Sequence, residues 1–94
     1  MIKPKVYHNT LTADTAYTFQ FDVDGSTFLV KNFTDSDLQL SYGDAIDDSS
    51  YILIPPKIKQ IVCSTFTTTP ETETDKITVL SASDGMVEIQ ILEY

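Results

Sequence analysis

An all-β domain, built as an antiparallel β-sandwich of about eight short strands, is the fold class predicted by three features of the 94-residue sequence. Runs rich in aromatic and β-branched residues alternate with polar positions at a period of two. Turn-forming pairs and prolines separate these runs at close spacing, and almost nothing in the chain has the 3.6 period of a helix. A small β-barrel is the alternative architecture, because short strands with regular turns serve either. The length makes residues 1–94 a single domain with one modest core.

In chain order, "KVYHNTL" is the first predicted strand. "AYTFQFDV" puts Tyr17, Phe19, Phe21 and Val23 on one face and Thr18, Gln20 and Asp22 on the other. The following "DVDGS" resembles the opening of a calcium-binding loop. With Asp22 at the first loop position, however, Thr27 falls where a glycine is needed and Phe33 where a bidentate glutamate is needed. The stretch is therefore read as turn chemistry: Asp24-Gly25 suits the two central positions of a type I′ hairpin turn, with "STFLVKNF" as the partner strand. "DLQLSY" then alternates Leu38, Leu40 and Tyr42 with polar residues, and "SYILI" is stopped by Pro55-Pro56. "IKQIVCSTF" and "KITVLSAS" follow. A second turn at Asp84-Gly85 leads into "MVEIQILEY", whose Val87, Ile89 and Ile91 share a face. "GDAIDDSS" and "TTTPETETD", the latter interrupted by Pro70, are read as irregular loops. The predicted core comprises Phe19, Phe21, Val30, Leu40, Ile61, Val79, Ile89 and Ile91, with Tyr17 and Phe28 at further inward positions.

Charge narrows the range of partners. Fourteen acids face six lysines and no arginine, for a net charge of -8. The basic footprint that neutralises phosphates is missing, so neither nucleic acid nor an anionic membrane surface is expected as a partner. No stretch approaches the roughly 20 apolar residues of a membrane span. Met1 leads into "IKPKVY" with no apolar signal core, which predicts a soluble, unprocessed chain. Cys63 is the one cysteine, so no intrachain disulfide can form; within "IVCSTF" it is expected as a buried small hydrophobe.

The residues offer little chemistry. His8 is the single histidine and has no neighbour in sequence to orient it as a base. Zinc needs several His or Cys ligands, and the chain has one of each. The paired carboxylates Asp47-Asp48 and Glu71/Glu73 lie in Ser- and Thr-rich loops, where nothing raises a carboxyl pKa as acid catalysis requires. No catalytic, metal-binding or cofactor-binding residues are assigned, and no enzyme activity is expected. Tyr7, Tyr42, Tyr51 and Tyr94, near strand ends or the terminus, are the rings available for an alternative role as a carbohydrate-binding module.

The stretch "FLVKNFTDSDLQLSYGDAIDDSSYILIPPKIKQIV", residues 28–62, resembles a pattern met in small virion-associated head or tail accessory proteins of tailed phages and prophages of Gram-positive bacteria. Its parts are a hydrophobic strand ending in Val-x-Asn, a Ser-Asp turn, a second strand ending near Gly, a loop and an Ile-Pro element. The resemblance covers about a third of the chain and carries no functional residue with it. It implies a structural role in the virion, with synthesis in the host cytoplasm, and partners that are further copies of the chain or other virion proteins.

Self-association directs attention to sheet edges, whose unpaired backbone groups invite another chain. The final run "MVEIQILEY" has no following element to cover it, so Ile91, Leu92 and Tyr94 are the candidate interface residues, by strand addition or by packing of an exposed face. "SYILI" is the other candidate edge.

Overall fold

The computed structural model describes residues 5–63 and 73–94. These form eight strands and no helix: β1 (Lys5–Leu11), β2 (Tyr17–Gly25), β3 (Thr27–Asn32), β4 (Leu38–Tyr42), β5 (Ile52–Ile54), β6 (Lys59–Cys63), β7 (Thr74–Ser81) and β8 (Gly85–Glu93). Two four-stranded antiparallel sheets, ordered β1-β8-β3-β6 and β2-β7-β4-β5, pack face to face as a sandwich. No strand belongs to both sheets, which sets aside the barrel. The predicted loop "GDAIDDSS" lies between β4 and β5. The loop "TTTPETETD" falls mostly outside the described residues, and its last two residues begin β7.

Pairing is nested: β1 with β8, β2 with β7, β3 with β6 and β4 with β5. The chain therefore behaves as one long antiparallel hairpin bent at the β4–β5 connection and rolled up. The roll is closed by the additional pairs β3 with β8 and β4 with β7. This is the jelly-roll arrangement of two Greek keys. It places the connections β1–β2, β3–β4, β5–β6 and β7–β8 at one end of the sandwich, where Asp84 Oδ1 accepts from Ala13 N at 2.6 Å and Ser36 Oγ meets Ser83 Oγ at 2.6 Å.

Both expected Asp-Gly hairpins are corrected by this topology. β2 and β3 lie in different sheets, as do β7 and β8, so each Asp-Gly pair carries the chain across the sandwich. Gly25 has no positive φ; its role is close approach. A Cβ there would stand 2.7 Å from Ile91 Cγ2 and 2.9 Å from Phe28 Cε1, both core atoms. Gly85, at φ 150°, needs glycine on both counts, because its Cβ would also meet Thr34 Cα at 3.0 Å. Gly25→Ala is accordingly expected to destabilise by about 1–3 kcal/mol through overpacking. Asp24→Ala, at an exposed position, should change stability by less than about 0.5 kcal/mol. Urea denaturation of the two variants checks this; equal losses would restore the hairpin reading.

The core contains the predicted Phe19, Phe21, Val30, Leu40, Val79, Ile89 and Ile91, together with Leu11, Phe28, Leu38, Ile54, Val62, Ile77 and Val87. Two face assignments are corrected. Ile61 is 61% exposed, and its neighbour Val62 fills the core in its place. Tyr17 is exposed and leans edge-on against Phe19, with ring centroids 5.0 Å apart. The final strand is also not an edge. β8 lies between β1 and β3, paired on both sides, so strand addition to β8 is excluded; the edges are β1, β6, β2 and β5.

Candidate functional site

The two outer faces of the sandwich differ in chemistry. On the β2-β7-β4-β5 sheet, Thr18, Thr78 and Ser41 lie side by side in register. Thr18 Oγ1 meets Thr78 Oγ1 at 2.8 Å, Thr78 Oγ1 donates to Gly43 O at 2.9 Å, and Asp47 N donates to Ser41 Oγ at 3.0 Å. The loop after β4 thus closes over this hydroxyl row and buries Thr78 and Ser41 with their hydrogen bonds satisfied. Beside it, Asp14, Asp35, Asp37, Gln39, Tyr51 and Leu53 line an open groove of about 610 Å³.

The β1-β8-β3-β6 sheet presents a face that no loop among the described residues covers. Val6, Gln90, Leu29 and Ile61 form one row across all four strands. The next row is His8, Glu88, Lys31 and Lys59, in which Lys31 Nζ is 3.0 Å from Glu88 Oε2. Beyond this charged row Met86 and Phe33 form a separate apolar pair, where Phe33 N donates to Met86 O at 3.0 Å. At the other end Leu92 is the extra residue of a register shift opposite Thr27 and Phe28. Val6, Ile61, Phe33, Met86 and Leu92 are all exposed.

Of the three candidate interface residues, only Leu92 joins this face. Ile91, 3% exposed, belongs to the core and cannot contact a partner in the folded chain. Leu92 is 39% exposed and points outward; Tyr94, 58% exposed, follows the last residue of β8. Sequence reading missed Ile61, Leu29 and Val6. Their common row becomes visible only once β6, β3, β8 and β1 are known to be neighbours.

At the β3–β6 end of the same sheet, Lys31, Asn32, Phe33, Lys57, Ile58 and Lys59 line a pocket of about 310 Å³. Lys57 Nζ donates to Phe33 O at 2.7 Å and stands 3.1 Å from Asp35 Oδ1. Lys57 has φ 64°, a left-handed conformation more usual for glycine, held where the turn after Pro56 enters β6.

The Tyr7 ring packs tilted against Phe21, with centroids 4.9 Å apart, and its hydroxyl donates to Asp22, which Lys5 Nζ also meets at 3.0 Å. The Tyr7 hydroxyl and the Lys5 ammonium together hold the Asp22 carboxyl below its ordinary value. This contact ties β1 to β2 and absorbs the carboxylate that suggested a calcium loop. Among the described residues, no group of three or more His, Cys, Asp or Glu side chains could hold a metal ion. His8 is exposed on the outer face. Cys63 is half-buried, less enclosed than expected, with Sγ 3.7 Å from Thr27 Oγ1. Tyr42 turns inward, and burial, followed by the neighbouring Cys63, pushes its pKa up to about 12. Of the tyrosines considered for carbohydrate, Tyr51 and Tyr94 are exposed, whereas Tyr7 and Tyr42 are partly buried against the core. No helix among the described residues is long and apolar enough to cross a membrane.

Comparison with protein-family models, curated proteins and solved structures finds no match to this chain.

Proposed function

We propose that this protein is a non-enzymatic structural module that self-associates through the outer face of its β1-β8-β3-β6 sheet, as an accessory component of a tailed-phage or prophage virion. The observation that carries the self-association is the Val6–Gln90–Leu29–Ile61 row with Leu92 beside it. Val6, Leu29, Ile61 and Leu92 place apolar side chains around Gln90 on a face that no loop among the described residues covers, whereas the loop after β4 closes over the hydroxyl row of the opposite face. The virion assignment rests on the resemblance of residues 28–62. A jelly roll is also the fold of many capsid and lectin domains, which is an analogy of architecture. Copies of the chain, or other virion proteins, are the partners; the net charge of -8 opposes nucleic acid and anionic membranes.

Sedimentation velocity tests the self-association. Wild-type protein is expected to form a discrete oligomer. Ile61→Lys, at a largely exposed position, should dissociate it by about 10- to 100-fold, because covering an isoleucine contributes roughly 1.5–3 kcal/mol. Its melting temperature as a monomer should stay unchanged. A wild-type protein monomeric at every accessible concentration, or an oligomer indifferent to both Ile61→Lys and Leu92→Lys, refutes the assignment.

The groove beside Tyr51 favours a second reading as a carbohydrate-binding module. One exposed ring with Asp35, Asp37 and Gln39 around it has the elements of a sugar site: a stacking plane and hydrogen-bond acceptors. Binding on a glycan array that is abolished by Tyr51→Ala would establish it.

A further inference from the structure

A lysine-lined pocket lies at one end of the proposed docking face. Three of the six lysines, Lys31, Lys57 and Lys59, line this one pocket, and none of the fourteen acids does. Phe33 and Ile58, both exposed, supply apolar walls. Lys31 and Lys57 are each balanced by one carboxylate outside the lining: Glu88 in a half-buried pair, and Asp35 in a solvent-exposed pair that holds the Lys57 charge only weakly. Lys59 has no ion pair among the described residues, so the pocket keeps at least one uncompensated positive charge in a strongly negative molecule. Lys57 adds an independent sign. Its left-handed backbone would be less strained with glycine, yet the chain holds an ammonium there, fixed on Phe33 O.

Resting on the self-association reading, we propose that this pocket receives the acidic loop between β4 and β5 of a second copy of the chain. That loop contains Asp44, Asp47 and Asp48, all exposed and without an ion pair among the described residues, around the half-buried Ile46. Its charge and its apolar centre complement the lysines and the Phe33–Ile58 walls. The two surfaces are at opposite ends of the sandwich and on opposite sheets: the pocket flanks the β5–β6 connection, and the loop closes over the β2-β7-β4-β5 face. A copy therefore cannot fill its own pocket with its own loop. The contact is complementary in charge between copies although each copy as a whole repels the next, which makes association depend on orientation and on salt.

Sedimentation velocity at low and high sodium chloride, on wild type and on three variants, tests the proposal. Lys59→Glu and the double variant Asp47→Lys/Asp48→Lys should each weaken self-association by roughly tenfold or more. Mixing these two variants should restore it, because the reversed charges complement each other. Lys57→Gly should weaken association while its melting temperature stays at or above that of wild type, which a purely structural lysine would not do. If wild type self-associates but neither charge variant changes it, or the mixture fails to recover, the loop-in-pocket contact is wrong and the self-association reading stands. If wild type does not self-associate, both fall.

Discussion

Truncating Phe28 to alanine should remove most of the stability of this domain. Phe28 is fully buried on β3, where it pairs with Ile91 of β8 and Val62 of β6, and its ring stacks at 5.5 Å on Phe21 of the opposite sheet. Phe21 in turn contacts Phe19 at 6.4 Å and Tyr7 at 4.9 Å, and Phe28 reaches Tyr42 at 6.4 Å. The ring is thus the point where the aromatic row of β2 meets the other sheet. Phe→Ala changes in cores cost about 3–5 kcal/mol. Folded domains are stable by only about 5–15 kcal/mol in total. A domain of this size should lose roughly 15–30 °C of melting temperature, or fail to fold. Ile61→Ala, on the outer face of β6, is the matched comparison and should cost less than about 0.5 kcal/mol. Urea midpoints for the pair settle the assignment: comparable losses would mean that the faces of β6 are reversed.

That comparison touches the element that was hardest to read. Along β2 the large apolar residues Phe19 and Phe21 stand strictly alternate with Thr18, Gln20 and Asp22, and the inward face follows from the pattern. Along β6 the apolar residues Ile61 and Val62 are adjacent, so either can be the inward one, and a one-residue choice reverses every side chain. An edge strand paired on one side only does little to resolve that ambiguity locally. The number and positions of the strands were legible because each carries its own residues. Which strands pair was not. Asp24-Gly25 has the composition of a hairpin turn, yet the nested order brings Thr74 of β7 beside Gly25 and makes the glycine a point of close packing against Ile91. For the same reason the last strand looked unprotected although β1, the most distant element in sequence, covers its flank. The outer face of the β1-β8-β3-β6 sheet suffers most from this limit. Leu92 could be picked out as an outward apolar residue, but its neighbours Leu29, Ile61 and Val6 come from three other strands.

Asn32 illustrates a residue visible in the sequence whose work was not, and it carries the second large effect expected of a single substitution. It ends β3 at 1% exposure, and its Nδ2 donates to Ser36 O at 2.9 Å, Ile54 O at 3.0 Å and Pro55 O at 3.2 Å. Its Oδ1 accepts from Thr34 N at 2.9 Å and Thr34 Oγ1 at 2.7 Å, and Thr34 Oγ1 continues to Ser81 Oγ at 3.0 Å. One amide therefore ties the β3–β4 turn, the end of β5 and the end of β7 together at the loop-bearing end of the sandwich. Asn32→Ala leaves several of these buried groups without partners. Each such group costs about 1–3 kcal/mol, and because they share one network the total should be about 3–5 kcal/mol, less than their sum. Asn32→Asp separates the polar role from the space-filling one. The carboxyl keeps an acceptor for Thr34, but its second oxygen faces three carbonyl oxygens, which disfavours the ionised form and raises the folded-state pKa above the unfolded value of about 3.9. The folded state then holds its proton while the unfolded state releases it. The variant is closest to wild type below about pH 4 and loses stability as pH rises from there towards the raised folded value, the reverse of an ordinary surface aspartate. Asn32→Leu, which cannot titrate, should show a pH dependence parallel to that of wild type. Urea denaturation of the three variants between pH 3 and pH 8 reads this directly; an Asn32→Asp curve parallel to wild type, or an Asn32→Ala loss below about 1 kcal/mol, would show that the amide is not the tie that its hydrogen bonds describe.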